Sequence, residues 1–210
     1  MVRILIADDH AIVRAGLKQV ISKTADLSVT GEAGSGEDAL ALLEHGEYDV
    51  LVLDLSMPGR GGADALKQIR VSYPDLPVLI LSMHPEEQFA VRALKSGASG
   101  YLSKESAPEQ LVEAIRRVAS GRKYVSSSLA EQLAEDVNRR EADEPHDALS
   151  NRELQVLCMI ASGQTVTDIA ENLSLSVKTV STYRERIMDK MRLKNNVELT
   201  HYAIKHRLVE

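Results

Sequence analysis

Asp8 and Asp9 follow the apolar run Ile4-Leu5-Ile6, Asp54 follows Val50-Leu51-Val52-Leu53, and Lys104 follows Gly100-Tyr101-Leu102-Ser103. A short apolar run ending in an acid has the pattern of a buried parallel strand, and open α/β sheets bind ligands at the carboxyl ends of their strands. Three carboxylates gathered at one edge repel each other unless a cation lies between them, and a few hard oxygen ligands suit Mg2+. A lysine beside them completes a pocket for a phosphoryl group. Ser82, after Val78-Leu79-Ile80-Leu81, adds a hydroxyl at a fourth strand end. An acyl nucleophile, a metal, a cation and a hydrogen-bond donor are together what in-line phosphoryl transfer requires. Any one of these residues alone is an ordinary cap or turn former. The ordered set is not.

The elements that must hold these residues alternate up to about residue 120. Strand candidates are 3–7, 28–33, 50–53, 77–81 and 99–102, with amphipathic helices at about 11–22, 36–45, 63–72, 86–96 and 108–120. Ser35 and Asp38 have capping-box spacing, and Gly46 and Gly97 stand where helix C-caps are expected. Five βα units without hairpin signals give a doubly wound, five-stranded parallel sheet with right-handed crossovers. This first domain is expected over 1–121. Residues 122–149 read as a linker, with an amphipathic helix at about 127–140 carrying Leu129 and Leu133, then a charged stretch from Arg139 to Asp147.

From residue 150 the pattern is purely helical, so 150–210 is expected to be an all-α domain of four helices. Ser150 with Glu153 forms a capping box for a helix to about 162, which Gly163 closes. Thr165 with Asp168 opens a short helix, Ser176 caps a longer one to about Met191, and 197–207 forms the last. The second and third helices, joined through Ser174-Leu175, read as a helix-turn-helix. Val180, Tyr183, Ile187 and Met191 form one stripe, expected to face the other helices. Lys178, Ser181, Thr182 and Glu185 lie opposite.

Charge is divided between these regions. Residues 1–121 carry a balance of −5, 122–149 of −3 and 150–210 of +2, and 178–194 alone holds six basic residues against two acids. Only the second domain is expected to bind a polyanion. Ser181, Thr182 and Glu185 are candidates for base edges, and Lys178, Arg184 and Lys190 for phosphates. No apolar stretch approaches the ~18 residues of a membrane span, and Met1-Val2-Arg3 leads straight into a strand, so no membrane association is expected. The single cysteine, Cys158, excludes an internal disulfide and fits a reducing cytoplasm; it reads as a small core residue. His10, beside the acid pair, reads as a first-turn helix residue rather than a ligand.

With Ile-Ala-Asp8-Asp9-His, Leu-Asp54-Leu-Ser-Met-Pro, Ser82 and Tyr101-Leu-Ser-Lys104 in order, residues 1–121 resemble a two-component receiver domain, a flavodoxin-like fold. With Leu-Ser-Asn-Arg-Glu-Leu-Gln-Val-Leu and Ser176-Val-Lys-Thr-Val-Ser-Thr-Tyr, residues 150–210 resemble a LuxR-type helix-turn-helix. Over nearly its full length the chain is similar to a NarL/FixJ-family response regulator. The resemblance implies that Asp54 accepts phosphate from a sensor histidine kinase. It implies that Asp9, Asp54 and the backbone carbonyl of Ser56 bind Mg2+, with Asp8 acting through water, and that Lys104 pairs with the phosphoryl oxygens. Ser82 and Tyr101 would be the switch pair, although Tyr101 also fits a plain strand aromatic. Ser56 and His84 would screen the attacking water, a surface placement without a role being the other reading.

The resemblance further implies a homodimer on phosphorylation, binding to inverted repeats in double-stranded promoter DNA, and RNA polymerase as a further partner that it allows. The family's base-reading positions fall near Ser181, Thr182 and Glu185, and Thr179 is a further DNA-binding candidate. The last helix is either core alone or a dimer contact. Glu105 stands where many receivers have proline. An enzyme of the aspartyl-phosphate phosphatase type needs a second aspartate two residues after the nucleophile, and Ser56 occupies that position. A constitutive interaction module would not need the full set of Asp8, Asp9, Asp54, Ser82 and Lys104.

Overall fold

The apolar runs that precede Asp8, Asp54, Ser82 and Lys104 are strands of one parallel sheet. In the computed structural model β1 spans Val2–Ala7, β2 Leu27–Ala33, β3 Val50–Asp54, β4 Val78–Ser82 and β5 Gly100–Ser103, in the order β2-β1-β3-β4-β5. The structure describes residues 1–57, 62–83, 86–126, 129–130, 144–206 and 208–209, with the backbone alone at 87, 88 and 147. It comprises two units, Met1–Asn138 and Arg139–Glu210.

Both faces of this sheet are covered. Ile4, Ile6, Val50, Val52, Leu79, Leu81 and Leu102 share one core with Leu17 and Ile21 of α1 (Ala11–Ile21) and with Leu111, Ile115 and Val118 of α5 (Ala107–Ala119). The alternate strand residues Leu5, Leu51, Leu53 and Ile80 are equally buried. They point to the other face, where α2 (Gly36–His45), α3 (Gly62–Ser72) and α4 (Glu86–Lys95) pack. This explains why β3 and β4 read as unbroken apolar runs. Each large aliphatic side chain so buried contributes about 1.5–3 kcal/mol.

Register sets the site. Ala7 pairs with Leu53, Asp54 with Leu81, and Ser82 with Ser103. Four chain segments therefore leave the sheet at one level, and the order reverses between β1 and β3, where doubly wound sheets bind ligands.

Of the three glycines expected to end helices, Gly97 with φ +99 and Gly163 with φ +84 take the left-handed conformation. Gly46 is extended instead; a Cβ there would stand 2.7 Å from the Tyr48 ring, so close packing rather than handedness selects glycine. The sheet also continues past Gly121. Tyr124 is buried, its N–H donates to the Ser99 carbonyl at 2.9 Å, and it bridges to Gly100 at the edge of β5. The helix expected at about 127–140 lies outside the described residues apart from Leu129 and Ala130, which are helical, with Leu129 buried.

In the second unit a 3-10 turn at Pro145–Ala148, within the stretch expected to be linker, precedes α6 (Asn151–Ala161), α7 (Val166–Asn172), α8 (Val177–Met191) and α9 (Asn196–Lys205). The caps are those the sequence proposes. Ser150 and Glu153 form a reciprocal box, as do Thr165 and Asp168, and Ser176 Oγ accepts the Thr179 N–H at 3.0 Å. Ser174, in the turn from α7 to α8, has φ +52. Val180, Ile187 and Met191 of the expected stripe are buried, but Tyr183 is only half-buried. It lines a surface hollow with Ser176, Lys178, Thr179, Thr182 and Arg186. The phenol's polar end accounts for its place at the rim.

Candidate functional site

Lys104 follows β5, whose final turn directs its ammonium across the sheet's carboxyl edge. Its Nζ lies 2.7 Å from Asp8 Oδ2 and 2.8 Å from Asp54 Oδ2, with both carboxylates 1% exposed and the lysine side chain 7%. The Lys104 N–H donates to the Ser82 carbonyl at 2.8 Å, which ties that loop to the end of β4. Asp54 Oδ1 accepts the Ser56 N–H at 2.9 Å, and Asp8 Oδ1 accepts the His10 N–H at 2.8 Å. Each acid thus has one oxygen fixed by a backbone N–H and the other facing Lys104.

Burial pushes the Asp54 carboxyl above its ordinary range, against the pull of Lys104 and the Ser56 N–H, and Asp8 adds to the rise. For Lys104, burial acts to lower the ammonium, but the Asp54 and Asp8 carboxylates outweigh it and hold it above its usual value. This is a crowded anionic site in which one buried cation offsets two buried acids.

Asp9 is partly exposed, and its Oδ1 is buried without a hydrogen bond, 3.0 Å from His10 Nδ1. Asp8, Asp9, His10 and Asp54 bring one ligand atom each within 4.8 Å of the others, so the cluster can hold a metal ion. His10 departs from expectation here. It is the N-cap of α1, and its ring turns back toward the acids, 3.3 Å from Asp8 Oδ1. Ser82 and Tyr101 are both fully buried, so Tyr101 is a core residue rather than a half-exposed one. His84 lies outside the described residues.

Two further residues shape this site and carried no chemical signal. Arg14 Nη1 donates to the Asp8 carbonyl at 2.6 Å from the first turn of α1. Gly62 opens α3 directly against the end of β3, where a Cβ would run into the Asp54 carbonyl oxygen. Only glycine fits.

Comparison with known proteins decides the family. Residues 4–116 match the response regulator receiver domain, and 147–203 match the luxR family of bacterial regulatory proteins. This chain is a NarL/FixJ-family response regulator. It is 42% identical to response regulator UvrY of Escherichia coli K12 over 209 residues, 99% of this chain and 96% of that one. It is 39% identical to response regulator GacA of Pseudomonas aeruginosa over 211 residues, 100% and 99% of the two chains. RcsB of Salmonella enterica serovar Typhimurium, solved bound to a promoter in the presence of the phosphomimetic BeF3-, has a TM-score of 0.59 at 29% identity, covering 96% of this chain and 97% of that one. The protein therefore joins a receiver to a LuxR-type DNA-binding domain and regulates transcription. Among the described residues, no helix is long and apolar enough to cross a membrane.

In the regulator's DNA-binding domain, α8 is the second helix of the helix-turn-helix. Lys178 and Glu185 are exposed, while Thr179, Ser181, Thr182 and Arg184 are half-exposed. Thr179 Oγ1 lies 2.8 Å from Ser176 Oγ, within the cap. Thr182 Oγ1 donates to the Lys178 carbonyl one turn back at 3.0 Å. Arg184 Nε donates to Asn196 Oδ1 at 2.7 Å.

Lys190, exposed near the end of α8, pairs across the domain with Glu153 of α6. Its Nζ donates to Glu153 Oε2 at 2.6 Å, and Glu153 Oε2 also accepts the Ser150 N–H at 2.7 Å. Burial acts to raise the Glu153 carboxyl, but Lys190 and the Ser150 N–H outweigh it and leave it below the usual glutamate range. Arg186 is one of three cations of 178–194, with Arg192 and Lys194, to which the sequence assigned no contact. It is exposed beside Lys178 and Thr182, and the spacing 178, 182, 186 along one helical row was its signal.

Proposed function

We propose that Asp54 is the phosphoacceptor of this response regulator, receiving its phosphoryl group from a sensor histidine kinase. The observation that carries the proposal is Lys104 Nζ within 2.8 Å of two carboxylates that are each 1% exposed. A carboxylate oxygen of Asp54 attacks phosphorus as the bond to the donor's imidazole nitrogen breaks. Lys104 then exchanges a carboxylate for the phosphoryl oxygens, where its charge meets the charge that develops. The acid-rich donor set and the unbonded Asp9 Oδ1 fit Mg2+, held by Asp8, Asp9, Asp54 and the Ser56 carbonyl. When bound, Mg2+ neutralises carboxylate repulsion and charge on the transferring group. Ser82 and Tyr101 form the switch pair, acting on two-state packing of α4, β5 and α5.

In this reading phosphorylation promotes a homodimer that binds inverted half-sites in promoter DNA from the cytoplasm, where RNA polymerase is the further partner. The chain catalyses only its own phosphorylation and dephosphorylation. Ser181, Thr182 and Glu185 meet base edges, with Thr179 at the helix start. Lys178, Arg184 and Arg186 meet phosphates, because Lys190 is engaged by Glu153. That RcsB was solved on promoter DNA in the presence of the phosphomimetic BeF3- supports a link between the phosphorylated receiver and DNA binding. Acetyl phosphate and Mg2+ should produce a shifted band on a phosphate-retarding gel for the wild type and none for Asp54→Ala. An equal shift in that variant would move the site elsewhere.

A further inference from the structure

Away from both sites, three side chains with metal-ligating atoms converge within the helical unit. Glu144 and His146 lie at the entry to α6, around the turn Pro145–Ala148, and His206 is the C-cap of α9. Their ligand atoms all lie within 4.8 Å of one another. Glu144 Oε2 is already 3.3 Å from His206 Nδ1, close to the ~3.4 Å between ligands of a tetrahedral Zn2+ with bonds of about 2.0–2.2 Å. Tyr202 organises the pair of imidazoles. Its hydroxyl is 2.8 Å from His146 Nδ1, and its ring stacks on His206 at 4.1 Å with an interplanar angle of 22°. An imidazole whose orientation is set by a hydrogen bond or a stacked neighbour is a better ligand than one that must be ordered on binding. The site is half-buried, so an ion can enter.

We propose that Glu144, His146 and His206 form a binding site for a borderline divalent transition metal, Zn2+ in particular. Two imidazoles and one carboxylate disfavour Mg2+ and Ca2+, which prefer all-oxygen shells, and leave a fourth tetrahedral position to solvent. Such an ion joins the chain entering the DNA-binding domain to the end of its last helix.

The test is calorimetric titration of ZnCl2 into the full-length protein with excess MgCl2 present to fill the carboxylate cluster of the receiver. Wild type and His201→Ala, which removes an exposed histidine elsewhere on α9, should take up Zn2+ with equal affinity. His146→Ala and His206→Gln should each weaken that binding at least tenfold, as should Glu144→Gln, with far-ultraviolet circular dichroism unchanged. Co2+ in place of Zn2+ should give the visible absorption of a tetrahedral site, lost in the same variants. Wild type that binds no Zn2+, or Zn2+ binding that survives all three substitutions, overturns the proposal.

Discussion

Lys104 shows how one side chain sets the sensitivity of a site. It neutralises Asp8 and Asp54 together, so Lys104→Ala should slow phosphorylation by acetyl phosphate and uncouple it from dimerisation; light scattering of the phosphorylated variant should report monomer. Normal phosphate-induced dimerisation there would remove Lys104 from the switch. In the other domain, Glu153 is held below its usual range by Lys190 and the Ser150 N–H. A carboxyl whose folded pKa is depressed contributes stability above its unfolded value, near ~4.3, and loses it as pH falls through the folded value. Glu153→Gln should therefore cost about 1–3 kcal/mol in urea denaturation near neutral pH, with the deficit closing in acid. These residues differ in legibility. Asp8, Asp9, Asp54 and Lys104 could be read because strand ends advertise themselves. The pairing of Lys190 could not, because its partner lies 37 positions away and the sequence showed Glu153 only as a helix cap.

At the scale of elements, a parallel sheet with alternating helices was legible because its apolar runs are buried on both faces and its caps obey local rules. The bounds found for β1 to β5 and α1 to α9 lie within two residues of those read from the pattern. What remained hidden were contacts between elements. Gly62 looked like an ordinary glycine before a helix, yet it lets α3 touch the Asp54 carbonyl. Gly62→Ala should destabilise the receiver by about 1–3 kcal/mol, the usual cost of overpacking, and lower the rate of phosphorylation, both measurable on the purified protein. In α8, the row of Lys178, Thr182 and Arg186 divides recognition from attachment. Arg186→Ala should weaken binding to every sequence and reduce the salt slope by about one unit. Thr182 variants should change base preference by about 1–3 kcal/mol at one position with the slope retained. A binding selection that returns the wild-type site from Thr182 variants would show that another face reads the bases.

At the scale of the whole molecule, the two units respond to different ligands because one gathers carboxylates at a sheet edge and the other gathers basic residues over 178–194. Mg2+ at a hundred times its Kd should stabilise the receiver by about 2.7 kcal/mol and leave the melting of the helical domain unchanged, and Asp54→Ala should blunt the effect. Differential scanning calorimetry with and without MgCl2 separates the two transitions. The junction between the units was the least legible part, since its charged stretch has no periodicity, and Tyr124 inside it looked like a linker residue. That tyrosine has a consequence for handling the protein. β5 is an outer strand of only four residues, and Tyr124 occupies the hydrogen-bonding side that would otherwise be bare at Ser99 and Gly100. A bare strand edge is a template for pairing with another chain. A receiver fragment cut at Gly121 should self-associate through that edge and precipitate on concentration, whereas one ending at Ser126 should stay dispersed.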